Sequence, residues 1–362
     1  MLARLAPHGS ARAPAAIALS AIALVLLSRL PVPSAKAATR PPPVIDLHVD
    51  LSYRVSYEHG TLARGSGQYV ASELVRAGVA GVVLPLFVPN RVSPSGPRRE
   101  DLDASFERLV SLIPRTPPYS LPGCGASPGS VRTWLSFEGA APLAGDPDAV
   151  SRWTARGVRL FGLVHTSDNV LATSSATTPA ATIGLTDAGR TLVRNIQEAG
   201  GIVDVSHASD AATDEIIALA LARGVPVVAS HSNARALTPH PRNLTDAQIR
   251  GIAKSGGVVG VNLHSRFLTE RGRATLADVV HHVKHLVDVG GVDHVAIGSD
   301  FEGDIRPPRE MPSTLGFPRL AAALRGSGLS SEDVAKVFGE NALRVLCPNG
   351  SGSDLAASVR PR

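Results

Sequence analysis

Aromatic residues are scarce in this chain of 362 residues, at 4%, while Gly (34) and Pro (28) are plentiful. That balance fits many short strands and helices joined by tight connections. No run of five or six basic residues accompanies the net charge of +5, which comes partly from scattered arginines and from the two termini. A nucleic-acid backbone therefore has nothing to track along, and nucleic acid is excluded as a partner. Cysteine occurs twice, as Cys124 and Cys347. Neither lies near the N-terminus, which argues against lipoprotein processing; the two could pair in an oxidising compartment, although spacing alone does not establish it. No internal repeat is visible. A hydrophobic content of 44% is enough for a substantial core, and the length suits one large domain with appendages.

The first appendage is N-terminal. Arg4 and Arg12 precede an apolar stretch over 15–27 that only Ser20 interrupts, and Ser34-Ala35-Lys36-Ala37-Ala38 follows with small residues where an A-x-A cleavage site needs them. This pattern predicts a secretory signal peptide over 1–37, with the mature chain starting near Ala38. The apolar stretch is shorter than the roughly 20 residues of a spanning helix. An uncleaved membrane anchor is the alternative. The expected domain is 38–347, and 348–362 reads as a disordered tail.

Within that domain eight strands are predicted, at 44–51, 79–87, 131–138, 158–165, 201–207, 226–232, 257–263 and 294–301. Most are continuous apolar runs, as in parallel strands covered on both faces. Helical patterns separate them. Leu102, Phe106, Leu109, Val110 and Ile113 recur at helical spacing, as do Val193, Ile196 and Ala199 after the candidate cap Thr186. Thr245 opens another helix, and Ser330 with Asp333 resembles a capping box ahead of a helix over 334–346. Strand followed by helix, eight times over, predicts a single-domain (β/α)8 TIM-type barrel of the α/β class. A doubly wound open sheet is the alternative. Residues 89–97 and 115–130 read as Pro/Gly/Ser-rich loops.

What is abundant is ligand chemistry at strand ends. His48-Val49-Asp50, Glu138, His207, His231 and Asp300 fall at the last one or two residues of predicted strands, and in a parallel barrel all such ends face one mouth. Alternation along a strand puts His48 and Asp50 on the same side. A His beside an acid is often only a hydrogen-bonded structural feature, and Glu138 could simply cap a loop. Yet a Glu closing the apolar run 134–137 is costly at a buried lip unless a cation or partner neutralises it, and burial alone would return its proton. His207 and His231 end consecutive strands about 4.8 Å apart, which suits two imidazoles sharing one metal. Three His and two carboxylates exceed the needs of one tetrahedral ion, so a carboxylate-bridged pair fits the count better. Nitrogen and oxygen ligands without Cys suit Zn, with Mn, Co or Fe chemically acceptable. The residues thus read as a metallohydrolase.

The ordered motifs Ile45-Asp46-Leu47-His48-Val49-Asp50-Leu51, Phe137-Glu138-Gly139, Gly157-Val158-Arg159 leading to His165, Asp204-Val205-Ser206-His207, Ser230-His231-Ser232 with His240-Pro241-Arg242-Asn243, and Ile297-Gly298-Ser299-Asp300-Phe301 carry a resemblance. Over roughly 44–346 the chain resembles the renal or membrane dipeptidases, a branch of the amidohydrolase-like barrels. The resemblance implies a zinc dipeptidase with two Zn ions per chain. It places one ion on His48, Asp50 and Glu138 and the other on Glu138, His207 and His231, with Glu138 as the bridge. It also implies that His165, Arg242 and Asp300 contact substrate or assist the chemistry. Two zinc ions would lower the pKa of a bridging water to about 7. In that mechanism His165 donates to the oxyanion, Asp300 passes the water's proton to the leaving amine, and Arg242 holds the free carboxylate of a dipeptide. For Arg242 a plain loop charge is the alternative, and for His264 and Phe267 pocket lining and structural packing are both open.

Two departures from the family pattern stand out. Ala140-Ala141-Pro142 replaces the usual Gly-His-Ser, and Glu302 stands where Asp is common; neither removes a ligand, but both could alter the pocket. Residues 93–130 align poorly. Barrel architecture does not separate a dipeptidase from a binuclear amidohydrolase acting on another amide, an ester or a lactone. A secreted binding protein without turnover is disfavoured, because a pure binder has no need of a water-activating metal pair. Small peptides are the expected partners, and a homodimer is compatible with the chain.

Overall fold

Apolar, β-branched runs bounded by glycine turns form the strands. They are β1 Val44–Asp46, β2 Val79–Leu86, β3 Tyr119–Pro122, β4 Val131–Glu138, β5 Val158–Gly162, β6 Ile202–Asp204, β7 Val227–Ser232, β8 Val258–Val261 and β9 Val295–Ile297. The computed structural model describes residues 42–348, except 90, 94–95, 126–128 and 178–182. The expected leader, its cleavage point at Ala38 and the tail beyond Pro348 lie outside the described residues. Every strand pairing is parallel, and the order β2-β1-β9-β8-β7-β6-β5-β4 closes on itself through a β2–β4 ladder running from Gly81–Arg132 to Leu86–Phe137. Closure rules out the open doubly wound sheet: this is a (β/α)8 barrel.

Two apolar layers hold it. Inside the barrel, Ile45, Leu47, Val83, Trp134, Leu160, Ile202, Val228 and Val258 form one buried cluster with Ala342, Leu343, Val345 and Leu346 of the C-terminal helix Asn341–Leu346. That helix therefore plugs the barrel floor. Asn341 fastens it by donating from Nδ2 to the carbonyls of Val292 and Val295 at 2.8 Å each. Cys124 and Cys347 form a disulfide at the same end, so the pairing left open by the sequence is made. Outside, the larger cluster packs the helices onto the strands.

The helix starts follow the expected caps. Thr186 Oγ1 accepts the Gly189 N–H at 3.0 Å at the start of Asp187–Glu198. Thr245 and Ser330 both open helices through capping boxes, with Gln248 and Asp333. The segment 115–130, expected to be loop throughout, instead contains β3, which pairs with Val131 and Thr133 at the start of β4, below the point where β5 joins it.

A second correction concerns the strand ends. Only Glu138 and His231 occupy the last two residues of a strand. His48, Asp50, His165, His207 and Asp300 lie past the ends of β1, β5, β6 and β9. The ladders stop early because the chain turns inward. His207 and Asp300 take φ of 70° and 63°, a left-handed conformation that no strand accommodates.

Candidate active site

Glu138, at the end of β4, is the focus of the barrel mouth. Its Oε1 lies 2.9 Å from Nε2 of His207, 3.5 Å from that of His48, 3.6 Å from that of His231 and 3.8 Å from that of His165. Asp50 Oδ2 is 3.6 Å from His48 Nε2, and Nε2 of His207 and His231 are 3.0 Å apart. Three overlapping groups, His48/Asp50/Glu138, Glu138/His207/His231 and His48/His231/Asp300, each keep their ligand atoms within 4.8 Å of one another. The mouth thus gathers all five residues expected to bind metal.

The donor set fits divalent cations. His48 Nε2 is buried between two carboxylates and has no hydrogen-bond partner, the state of a ligand atom awaiting a cation. Burial alone would strip the proton from His48, but the charges of Glu138 and Asp50 outweigh it and push this imidazole up to about 10. Burial holds His207 and His231 well below the ordinary histidine value, so both are neutral, the form a metal requires of an imidazole. Burial also raises Asp50, although His48 opposes it. An excess of converging carboxylate charge that forces a proton onto His48 is neutralised more fully by cations.

Two aspartates at strand ends aim these ligands. Asp204 Oδ1 accepts the N–H groups of Ser206 (3.0 Å) and Ser230 (2.9 Å), tying the ends of β6 and β7 together. Ser206 Oγ then accepts the His231 N–H, and Ser230 Oγ pairs with His231 Nδ1 at 2.8 Å, leaving Nε2 to face Glu138. Asp46 Oδ1 plays the same part at β1, accepting Ser299 N–H at 2.8 Å and His48 N–H at 3.3 Å.

Beside this cluster lies a cavity of about 240 Å³ whose wall includes Asp50, Glu138, His165, His207, Arg242 and Asp300. Arg242 is buried, donates to the His231 carbonyl at 3.3 Å and sits over the Phe267 ring, so it is not a plain loop charge. Asp300 is pushed upward by burial and then by the charge of Asp50, and its Oδ2 accepts from Asn262 Nδ2 at 2.9 Å. His165, which burial keeps neutral, has Thr166 Oγ1 at Nδ1 and packs between the rings of Phe87 and His207. His264 and Phe267 both line the cavity, which resolves the open alternative for them.

Sequence reasoning missed Tyr53, Phe87, Asn262, Gly303 and Ile305. Asn262 had a usable signal: it is the polar residue directly after the apolar run of β8. Gly303 had none; a Cβ there would stand 2.5 Å from Asp50 Oδ2 and 2.8 Å from Asp300 Oδ1. Neither departure from the family pattern places a side chain in the wall of the cavity. Ala141–Leu143 forms a short 3-10 helix outside it. Glu302 is fully buried and points away, accepting the N–H groups of Ser66, Gln68 and Tyr69.

Comparison with known proteins agrees. Residues 33–349 match the family described as Membrane dipeptidase (Peptidase family M19). An uncharacterised protein in the pqqA 5' region of Klebsiella pneumoniae is 40% identical over 218 residues, 58% of this chain and 79% of that one. Dipeptidase aclJ of Aspergillus oryzae is 34% identical over 222 residues, 61% of this chain and 52% of the relative, so the match spans about half the fungal protein. A metallopeptidase of Rhodobacter sphaeroides, solved with a phosphinate mimic of the dipeptide L-Ala-D-Ala, superposes with a TM-score of 0.75 at 27% identity, covering 84% of this chain and 99% of that one. With its family match running through every strand of the barrel and every residue of the mouth, this chain belongs to the membrane dipeptidase family and is a metallo-dipeptidase by class.

Proposed function

We propose that this protein is a zinc-dependent dipeptidase that binds two Zn ions per chain. The observation that carries the reading is the convergence of a five-residue ligand set, a buried arginine and a buried aspartate on one small cavity. His48, Asp50 and Glu138 would hold one ion, and Glu138, His207 and His231 the other. When bound, such a pair supplies a water that is acidic enough to act as a nucleophile at neutral pH and polarises the scissile carbonyl.

The chain's own residues supply the rest. Arg242, buried with one carbonyl partner among the described residues, has guanidinium N–H groups left to hold the free C-terminal carboxylate of a dipeptide. Its burial favours occupation by an anion, because that carboxylate restores the balance which desolvation removed. His165 offers Nε2–H to the oxygen on which negative charge develops. Asp300, raised above the ordinary carboxylate range and oriented by Asn262, takes a proton from the nucleophile and returns it to the leaving amine. A cavity of about 240 Å³ is below the usual span of drug-sized pockets, which suits two residues and not a longer chain.

Export through a leader over 1–37, leaving a mature chain from near Ala38, belongs to the same proposal. The Cys124–Cys347 disulfide supports an oxidising destination. N-terminal sequencing that recovers Met1 from a membrane fraction would favour an anchor instead. The activity is tested on purified, zinc-loaded protein with L,L and L,D dipeptides beside N-acyl amino acids, esters and lactones. Preferred turnover of free dipeptides is expected; preference for the other substrates would overturn the proposal in favour of a different amidohydrolase.

A further inference from the structure

The wall of the mouth cavity contains one carboxylate that the proposed reaction leaves unused, Asp304. Contacts sort the side chains of that wall into two groups. In one, the guanidinium of Arg242 lies 5.6 Å from the centre of the Phe267 ring, and the His264 ring lies 4.8 Å from the same ring. The other runs from His165 to Phe87, at 4.4 Å between ring centres, and on to Tyr53, 5.9 Å from Phe87. It ends at Asp304. Arg54 joins the two, with its guanidinium 5.3 Å from the centre of the Tyr53 ring and its Nη2 donating to Asp304 Oδ1 at 2.5 Å.

The charges around Tyr53 do not cancel. Arg91 pairs with Glu58, but Arg54 serves two carboxylates, Asp304 and, at 3.7 Å, the buried Glu302. Three acids against two guanidinium groups leave one negative charge, and of the three only Asp304 lines the cavity. Its side chain is 69% exposed, so the pair with Arg54 contributes little to stability. Yet its backbone is held at a φ of 58°, in the left-handed region. Such strain persists where function uses it.

We infer that Asp304 selects dipeptides whose N-terminal residue carries a cationic side chain, as lysine does. The inference rests on the dipeptidase reading: with the substrate carboxylate on Arg242 and the scissile carbonyl beside His165, the side chain of the N-terminal residue is left to the group that ends at Asp304. Its methylenes pack on the rings of Phe87 and Tyr53, and its ammonium meets the unbalanced charge. The α-ammonium is not the group selected. It hangs from the carbon next to the scissile carbonyl and so stays beside the buried Asp50 and Asp300.

The test compares lysyl-alanine with norleucyl-alanine, which keeps the length of the side chain and lacks its charge, on the zinc-loaded enzyme. kcat/KM should favour lysyl-alanine by about threefold or more, and the preference should shrink as salt is raised. Asp304→Asn removes the charge without new strain, because Asn tolerates the left-handed backbone, and should abolish the preference. Calorimetric titration of the Asp300→Asn enzyme with the same two peptides reads the preference as affinity, independently of turnover. Tighter binding of lysyl-alanine there, with neither peptide hydrolysed by the wild type, would overturn the dipeptidase reading and keep the inference. Equal handling of the two peptides by the wild type, or a preference that survives Asp304→Asn, would overturn the inference and keep the dipeptidase reading. Equal impairment of both peptides by Asp304→Asn would assign Asp304 to the α-ammonium and overturn the inference too.

Discussion

The two ends of the barrel solve the same backbone problem differently. At the floor, the turns that lead into the strands place glycine in the left-handed region: Gly78 before β2, Gly157 before β5, Gly200 before β6, Gly224 before β7, Gly256 before β8 and Gly291 before β9. Glycine adopts that conformation without steric penalty. At the mouth, beside Gly139, four residues with side chains take the left-handed region: His207, Asp300, Glu302 and Asp304. Side chains held there store strain that the rest of the fold must offset, and such strain clusters where function needs a fixed geometry. The floor also has a disulfide and a plugging helix, while the mouth concentrates buried charge. One end is built for stability and the other for chemistry, so substitutions at the two ends should separate activity from stability.

The largest effect expected is at Glu138. Glu138→Ala, or removal of metal by a chelator, should abolish dipeptide hydrolysis and exceed the about 10–100-fold loss typical of a missing outer-shell partner. Metal analysis should show both ions disturbed in Glu138→Ala but chiefly one lost in His207→Ala or His231→Ala. One tightly held ion that survives Glu138→Ala would break the bridged-pair reading.

Asp300→Asn comes next. It should keep metal and substrate affinity but lose on the order of 10²-fold or more in kcat. Near-normal turnover would remove Asp300 from proton transfer.

The floor should behave in the opposite way. Cys124→Ser opens a link between residues 223 apart and should lower stability by about 2–5 kcal/mol, read as a fall in Tm, while kcat/KM at a temperature well below unfolding stays the same. A matching loss of activity would mean that the two ends are coupled.

Arg242→Ala sharpens the distinction within the mouth. It should act mainly through KM on free dipeptides, and much less on dipeptide amides, which have no carboxylate to hold. Equal damage on both substrates would indicate that Arg242 serves the structure of the mouth and not the substrate.

The smallest effect is expected at Asp210. Arg235 reaches it with two nitrogens, at 2.6 and 2.7 Å, fastening the segments that follow His207 and His231. The pair is partly exposed, so Asp210→Asn should change stability by no more than about 1 kcal/mol. Burial would raise this carboxyl, but Arg235 and Gln248 outweigh it and hold it below the ordinary value. A lowered pKa contributes stability that is present above the unfolded value, about 3.9, and is lost as pH falls through the folded one. The difference in Tm between wild type and variant should therefore shrink in acid and be full at neutral pH.

The sequence by itself determined the fold and the candidate ligand set. Eight apolar runs fall on the eight barrel strands because a parallel strand covered on both faces must be apolar throughout, a pattern visible without coordinates. His48, Asp50, Glu138, His207 and His231 were legible because ligand-type side chains next to such runs have few structural reasons to be there. Only the tertiary structure decided how they meet. The strands end earlier than their apolar runs, and the left-handed turns at His207 and Asp300 and the Asp46 and Asp204 cradles set the geometry. It alone decided also that Asn262 orients Asp300, that Glu302 faces away from the cavity, and that a Cβ at Gly303 would crowd Asp50 and Asp300. The physical reason is the range of the interactions. Hydrophobic patterning is local along the chain, whereas hydrogen bonds, steric limits and buried charges join residues as much as 253 positions apart, as Asp46 and Ser299 are.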